Sequence, residues 1–427
     1  MHALPYARPS ADTPRDFLFL MTSAAESVID SPIAWWRLLA TLAMATLGGV
    51  GMWSVVVALP AVQADFGVDR SGASFPYTLT MVGFGLGGIL MGRLTDRYGV
   101  SVPLAGATLA MATGYVLASM APTLFMYALA QGLLIGFLGC SATFGPLLAD
   151  ISHWFEKRRG LAVAIVASGN YLAGTIWPPV VQHLIETFGW RQTHFIIGIV
   201  CLLTMLPLTL VLRRRPPHVA QATAAARALR PPPDLRISPR ALQTLLVIAG
   251  LACCVAMSMP QVHIVAYCGD LGYGPAAGAR MLSLMLGFGI VSRLLSGWVA
   301  DHIGGLRTLL LGSALQGVAL VLYLFFDGLA SLYVVSALFG LFQGGIVPSY
   351  AIIIREYFAP REAGARVGVV VMATLFGMAL GGWMSGEVFD LTGSYRAAFL
   401  NGIAWNLLNL SIVIWLLSRP GARLARA

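Results

Sequence analysis

The chain has 427 residues, is 58% hydrophobic and only 11% charged, and combines a formal net charge of +9 with a mean hydropathy of +0.78. A water-soluble fold of that composition would leave too much apolar surface uncovered, so a bilayer must act as solvent, and the non-alternating apolar runs exclude a membrane β-barrel. The basic residues are scattered arginines, which argues against a nucleic-acid module, and Lys157, the one lysine, lacks the glycines of an ATP-binding phosphate loop.

Residues 1–34 hold only the short apolar run FLFLM, too brief for a signal-peptide core, and are expected to form a cytosolic tail. Apolar stretches of about twenty residues, enough to cross a bilayer as helices, then follow in two sets. The first lies near 38–62, 75–95, 101–121, 125–148, 161–186 and 194–213. The second lies near 242–268, 277–300, 306–326, 329–353, 364–388 and 397–417. The expected organisation is an N-terminal six-helix bundle over 35–213, a cytosolic linker rich in arginine, proline and alanine over 214–241, a C-terminal six-helix bundle over 242–418, and a short cytosolic tail over 419–427.

With about twelve spans and both ends in the cytosol, the outer loops hold only Arg70, Arg191, Arg280 and Arg396, and nearly every other basic residue falls inside. An odd number of spans would place one half's basic loops on the wrong side. The two sets also repeat. GRLTDRYG at 92–99 matches GWVADHIG at 297–304, WFEKRRGLA at 154–162 matches YFAPREAGA at 357–365, and FGWRQTHFIIGI at 188–199 matches TGSYRAAFLNGI at 392–403. Two similar bundles can rock about a site at their interface. The five cysteines, Cys140, Cys201, Cys253, Cys254 and Cys268, lack zinc spacing and read as small packing residues.

The pattern Gly92, Leu94, Asp96, Arg97, Gly99, with its weaker copy Gly297, Asp301, Gly304, resembles the loop signature of the major facilitator superfamily. The resemblance implies an all-α membrane fold of two pseudo-symmetric six-helix bundles, and roles in gating and packing for these loop residues. Gly92 and Gly297 are expected to permit close helix approach, and Asp96 and Asp301 to pair with arginines or helix N-termini. FEKRRGLAVAIVASGNYLAG and MPQVHIVAYCGDLGY are similar to the bacterial monocarboxylate transporter and oxalate:formate antiporter branch. Val100 and Ser101 depart from the basic continuation of the loop motif, and Gln131 stands near the place where many proton-coupled members carry an arginine.

Arg293 is the one arginine deep in its span, about two helical turns before Asp301. Holding it there costs roughly 2.5–3.5 kcal/mol on insertion scales, and the usual explanation is a partner in a wet cavity. A substrate carboxylate is such a partner, since a guanidinium offers it two charge-assisted hydrogen bonds. The span-eight arginine of monocarboxylate transporters, which binds the substrate carboxylate, resembles Arg293 in its spacing to the loop motif. The alternative is snorkelling toward the cytosolic interface to brace Asp301. Span eleven has no lysine, whereas the oxalate transporter pattern that the chain resembles uses a second basic residue there to hold a dicarboxylate, so the resemblance favours a monocarboxylate over oxalate. Gly289 stands where animal monocarboxylate transporters carry an aspartate, which puts their proton relay in doubt.

Further candidates to line the substrate path are His263, Tyr77, Asn170, Tyr171, Gln343 and Tyr350, each with interhelical bonding as its alternative role. Pro260 offers span seven a hinge, and Trp177 with Pro178 and Pro179 a kink and aromatic wall. The glycines of VGFGLGGILMG and LFGMALGG are expected to permit close, sliding contacts. The expected function is alternating-access transport of a small organic anion across a bacterial cytoplasmic membrane, with a coupled proton or exchange anion and the lipid bilayer as partners. The alternatives are a dicarboxylate or formate exchanger, a carrier of another metabolite or drug, and a non-transporting membrane sensor. No catalytic residue, cofactor, metal or nucleic-acid partner is expected, and neither zinc-hydrolase nor serine-hydrolase motifs occur on a span. The working unit is expected to be a monomer.

Overall fold

The computed structural model describes residues 29–214 and 236–419, which excludes most of the expected linker and tails. Its elements are helices: α1 Pro32–Phe66, α2 Arg70–Tyr98, α3 Ser101–Ser119, α4 Leu124–Ser152, the pair α5 and α6 joined in Arg159–Val211, α7 Pro239–Asp270, α8 Pro275–Ile303, α9 Gly305–Phe325, α10 Leu329–Tyr357, α11 Pro360–Thr392 and α12 Tyr395–Leu417. Eleven of these stretches are long and apolar enough to cross a membrane. The 53-residue stretch contains Gly189 at φ 78°, ψ 162°, outside the helical region, and counting its two parts separately gives twelve helices.

Local chemistry sets the ends. Ser31, Asp69 and Ser238 accept a first-turn backbone N–H from Ala34, Gly72 and Ala241, and prolines 32, 239, 275 and 360 sit at helix starts, where no N–H is needed. The largest departure from the sequence reading is at the first helix, which begins at Pro32 rather than residue 38. The apolar run ends before the helix does because Arg37, inside it, is buried and paired with Asp150 of α4.

The repeat seen in sequence extends to backbone conformation. Gly99 ends α2 at φ 80°, ψ 167°, and Gly304 ends α8 at φ 81°, ψ 163°; each donates its N–H to the carbonyl four residues back. Gly189 and Gly393, which correspond in the third repeat, both have positive φ.

Several helices are interrupted midway. α4 runs through a π-helix over Ala130–Gly139 and a 3-10 turn over Cys140–Thr143; α5 breaks at Ser168, and α10 breaks at Gly344 and Gly345. Such breaks free backbone carbonyls at membrane depth, which is tolerated only where other groups satisfy them. α2 crosses the π-helix so closely that a Cβ on Gly83 or Gly87 would collide with the carbonyl oxygens of Gly132 or Phe137. The first six helices meet the last six chiefly where α2 packs on α11, α5 on α8, and α1 on α7.

Two expectations for the loop motif are overturned. A Cβ on Gly92 or Gly297 would meet nothing within 4 Å, so neither glycine mediates a close approach; that role falls to Gly83 and Gly87 on α2 and to Gly377 and Gly381 on α11. Asp96 and Asp301 are exposed and form neither ion pair nor hydrogen bond among the described residues. The role of holding a helix N-terminus belongs instead to Glu356 at the end of α10, whose carboxylate accepts the Gly305 N–H at 3.0 and 3.2 Å.

Candidate functional site

Arg293 projects from α8 into the seam between the two sets of helices. Its Nη1 donates to the carbonyl of Ala167 at 2.8 Å and its Nε to the carbonyl of Gly344 at 3.5 Å. Both carbonyls are products of the helix breaks: Ala167 is the last residue before the interruption of α5, and Gly344 lies at that of α10. Helix C-termini carry partial negative charge, so the guanidinium is held by oriented dipoles from both halves without an acid. Its carbon lies 4.3 Å from the centroid of the Tyr171 ring, and Tyr171 in turn packs against Gly289, where a Cβ would collide with it. Among the described residues no carboxylate pairs with Arg293, and its Nη2 makes no hydrogen bond. The bracing of Asp301 considered from sequence is therefore absent.

Asn170 is next to Tyr171; its backbone carbonyl accepts from Trp53 Nε1 at 3.2 Å, and its side-chain Oδ1 is buried without a partner. Ser283 of α8 donates to the carbonyl of Thr175, a second bond between α8 and α5. Gln343 precedes Gly344 directly. Its Oε1 accepts from Gln261 Nε2 of α7 at 2.8 Å, and its own Nε2 is left buried and unpartnered. Buried polar atoms in folded proteins almost always find a partner, which sets Asn170 Oδ1 and Gln343 Nε2 apart from the bonded groups around them.

Tyr77 and His263 belong to a different assembly, at the end of the molecule that carries Arg70. His263 donates from Nε2 to the carbonyl of Gly382 at 2.7 Å, and the ring of Tyr77 covers the α-carbon of Gly382. Tyr350 is bonded within the second half. It donates to Asn409 Oδ1 at 3.1 Å, Asn409 donates to Ser313 Oγ at 2.7 Å, and the set ties α10, α12 and α9 together inside the second half. Tyr350, 1% exposed, thus makes the interhelical bond that the sequence offered as its alternative role. A cavity of about 220 Å³ lies elsewhere again, lined by Tyr98, Gly99, Ser101, Asp150, Arg213 and Arg214 at the arginine-rich end.

The family model of the Major Facilitator Superfamily matches residues 41–329 and 281–426. The chain belongs to the Major Facilitator Superfamily. Among its relatives, monocarboxylate transporter 13 of Rattus norvegicus is 31% identical over 356 residues, covering 81% of this chain and 78% of that protein. The Bos taurus protein of the same name is 29% identical over 331 residues, covering 76% and 75%. A solved bacterial homolog of the human lysosomal transporter Spinster, inward-facing and occupied, aligns with a TM-score of 0.68 at 14% identity over 92% of this chain and 97% of that one, a likeness of fold alone. As a superfamily member the chain is a multi-pass membrane transporter of a small molecule, not an enzyme.

Sequence reasoning missed three polar assemblies. Arg37 makes a bidentate pair with Asp150 at 2.9–3.1 Å, donates to the Leu212 carbonyl and lies over Trp154, all inside the first half. Gln131, Tyr127 and His194 form a buried triangle at 3.2–3.3 Å, with His194 Nδ1 donating to the Trp190 carbonyl. Arg70 joins α2 to α7, α11 and α12. Its guanidinium grips Asp270 through two bonds of 3.1 Å, while its backbone N–H and that of Ser71 donate to Asp390 at 2.9 and 2.7 Å.

Proposed function

We propose that this transporter carries a small organic anion, foremost a monocarboxylate, across a bacterial cytoplasmic membrane by alternating access, with Arg293 binding the substrate carboxylate. The observation that carries the reading is the state of the guanidinium. It is half-buried at the seam, held by carbonyls from both halves, and free of any acid among the described residues. A carboxylate can take Nη2 and replace the long contact to Gly344 without disturbing the shorter bond to Ala167. Substrate binding would then loosen α8 from α10 while it stays tied to α5, a differential contact of the kind any ligand-driven shift requires. The unpartnered Gln343 Nε2 and Asn170 Oδ1 supply polar groups for the remainder of the solute.

Similarity to monocarboxylate transporters at about 30% identity supports the same substrate class. The positive-inside bias supports cytosolic ends and a seam enclosed by two six-helix bundles, 35–213 and 242–418, and the alanine, glycine and arginine bias supports a bacterial source. The test is uptake into proteoliposomes of purified protein under an imposed pH or anion gradient. Labelled lactate or a similar acid should accumulate above the external level, and unlabelled monocarboxylates should compete. Binding without accumulation under either gradient would leave the sensor reading, and accumulation of only uncharged solutes would refute the anion assignment.

A further inference from the structure

The assembly around Arg70 closes the arginine-poor, outer end of the seam, and it contains a histidine for which the substrate reading has no use. The N-terminus of α2 is clamped by Asp270 from α7 and Asp390 from α11. The Arg70 guanidinium lies 5.0 Å from the ring centroid of Phe389 and 5.8 Å from that of Tyr395 on α12. Two turns deeper, Thr78 of α2 donates to the Ala379 carbonyl at 3.0 Å, and Tyr77 covers Gly382 of α11. Behind Gly382 sits His263, 0% exposed, with its ring centroid 5.8 Å from that of Tyr395.

Its hydrogen bonding fixes its protonation form. A carbonyl only accepts, so the 2.7 Å bond to Gly382 puts a proton on Nε2, and a second proton on Nδ1 would point at no acceptor, which favours the neutral ring with a lone pair at Nδ1. Nδ1 has no partner, and within the same assembly Tyr395 Oη and Arg70 Nε are also buried and unpartnered. The other buried histidine among the described residues, His194, has both nitrogens engaged. The charged and titratable groups around His263 are Arg70 and Tyr77 from α2, Tyr267 and Asp270 from its own helix, Asp390 from α11 and Tyr395 from α12. Both carboxylates are already engaged by α2, Asp270 by the guanidinium and Asp390 by two backbone N–H groups.

We infer that the outer gate contains a proton-binding site at His263 Nδ1, empty while the gate is sealed and filled from the external solution when it opens. With the gate shut, an added proton would create a buried cation with an N–H aimed at no acceptor, near a second cation and with both acids occupied, which is unfavourable. Parting α2 from α11 lifts Tyr77 off Gly382 and admits water to hydrate the imidazolium. Proton binding and opening are then linked, with external acid favouring the open gate. The step makes one N–H bond, with the proton coming from external water and returning to it. The inference rests on the alternating-access part of the function proposed above and not on the identity of the solute.

The test uses Thr78→Cys in the full-length protein, reconstituted with its outer face exposed and treated with a membrane-impermeant maleimide. The five native cysteines are all buried, and the protein without the new thiol gives the background. As external pH falls from about 8 to about 5.5, across the range in which histidine titrates, the labelling rate, divided at each pH by that of free cysteine with the same reagent because the reacting thiolate thins out in acid, should rise several-fold. His263→Gln, which keeps a donor for the Gly382 carbonyl but cannot take the proton, should flatten that rise, and His263→Asn should do the same. Thermal melting of each variant reports whether it is folded. A pH response that survives intact in a folded His263→Gln protein would assign the control to Asp270 and Asp390 and overturn the proposal, as would labelling independent of pH with His263 present. Because no solute is needed, a failure to transport monocarboxylates would strike the substrate assignment and leave this result standing.

Discussion

Replacing Arg293 with lysine separates charge from geometry at the seam. The arginine now makes a 2.8 Å bond to Ala167, a 3.5 Å contact to Gly344 and a stacking contact with Tyr171 at 4.3 Å, leaving Nη2 for the solute. Lysine keeps the positive charge but is a point donor on a flexible stem, so it can serve the Ala167 carbonyl or a carboxylate in good geometry, not both. Losing one charge-assisted hydrogen bond to the bound solute costs about 1.5–3 kcal/mol. At about 1.4 kcal/mol per decade, transport efficiency should fall roughly 10- to 100-fold. Arg293→Gln, which removes the charge, should fall further. The assay is initial-rate uptake of a labelled monocarboxylate into proteoliposomes, with a thermal melt of each variant to separate loss of function from loss of fold. Uptake by the lysine variant within about two-fold of the parent, at matched folded protein, would refute the clamp, because a lost hydrogen bond of that class exceeds such a change.

The Arg37–Asp150 pair, each side chain 4% exposed, should behave as a buried ion pair. Arg37→Met or Asp150→Leu alone should destabilise by about 3–5 kcal/mol, whereas the double apolar replacement should recover most of that loss, as read by thermal or denaturant unfolding in detergent. Gly87→Ala should lower the melting temperature sharply, because its Cβ would run into the Phe137 carbonyl, while Gly92→Ala, with open space at that position, should leave it nearly unchanged. Asp270→Asn should weaken the outer latch modestly, by about 1 kcal/mol or less, because the carboxylate is 40% exposed. The readout is faster external labelling of a cysteine at position 78 at every pH, and unchanged labelling would remove Asp270 from the latch.

Hydropathy located the helices well because the cost of leaving a backbone group unpaired in lipid allows few alternatives at membrane depth. Arg293 stood out for the same reason, as a charge in an apolar run. The way each helix is turned about its axis was not available from that pattern, since a membrane helix is apolar on most of its surface. Tyr350 and Gln343, seven residues apart on α10, therefore looked equivalent in sequence. One bonds Asn409 inside its own half and the other bonds Gln261 and leaves Nε2 empty. The latch was hidden by distance along the chain, Arg70 and Asp270 being 200 positions apart, and the Arg37–Asp150 pair by 113. Gly92 attracted attention through its motif, yet close packing falls on Gly83 and Gly87, whose partners are carbonyls of a π-helix that no side-chain pattern announces.

Gly99 and Gly304 adopt nearly the same backbone angles although the residues before them have diverged, Asp-Arg-Tyr in one copy and Asp-His-Ile in the other. A side chain at either position would be strained, so the two corners keep one backbone geometry in both halves while the residues beside them differ. For protein engineering, a reporter or affinity tag inserted at this surface should leave both corner glycines in place, because moving one would misdirect the re-entry of the following helix.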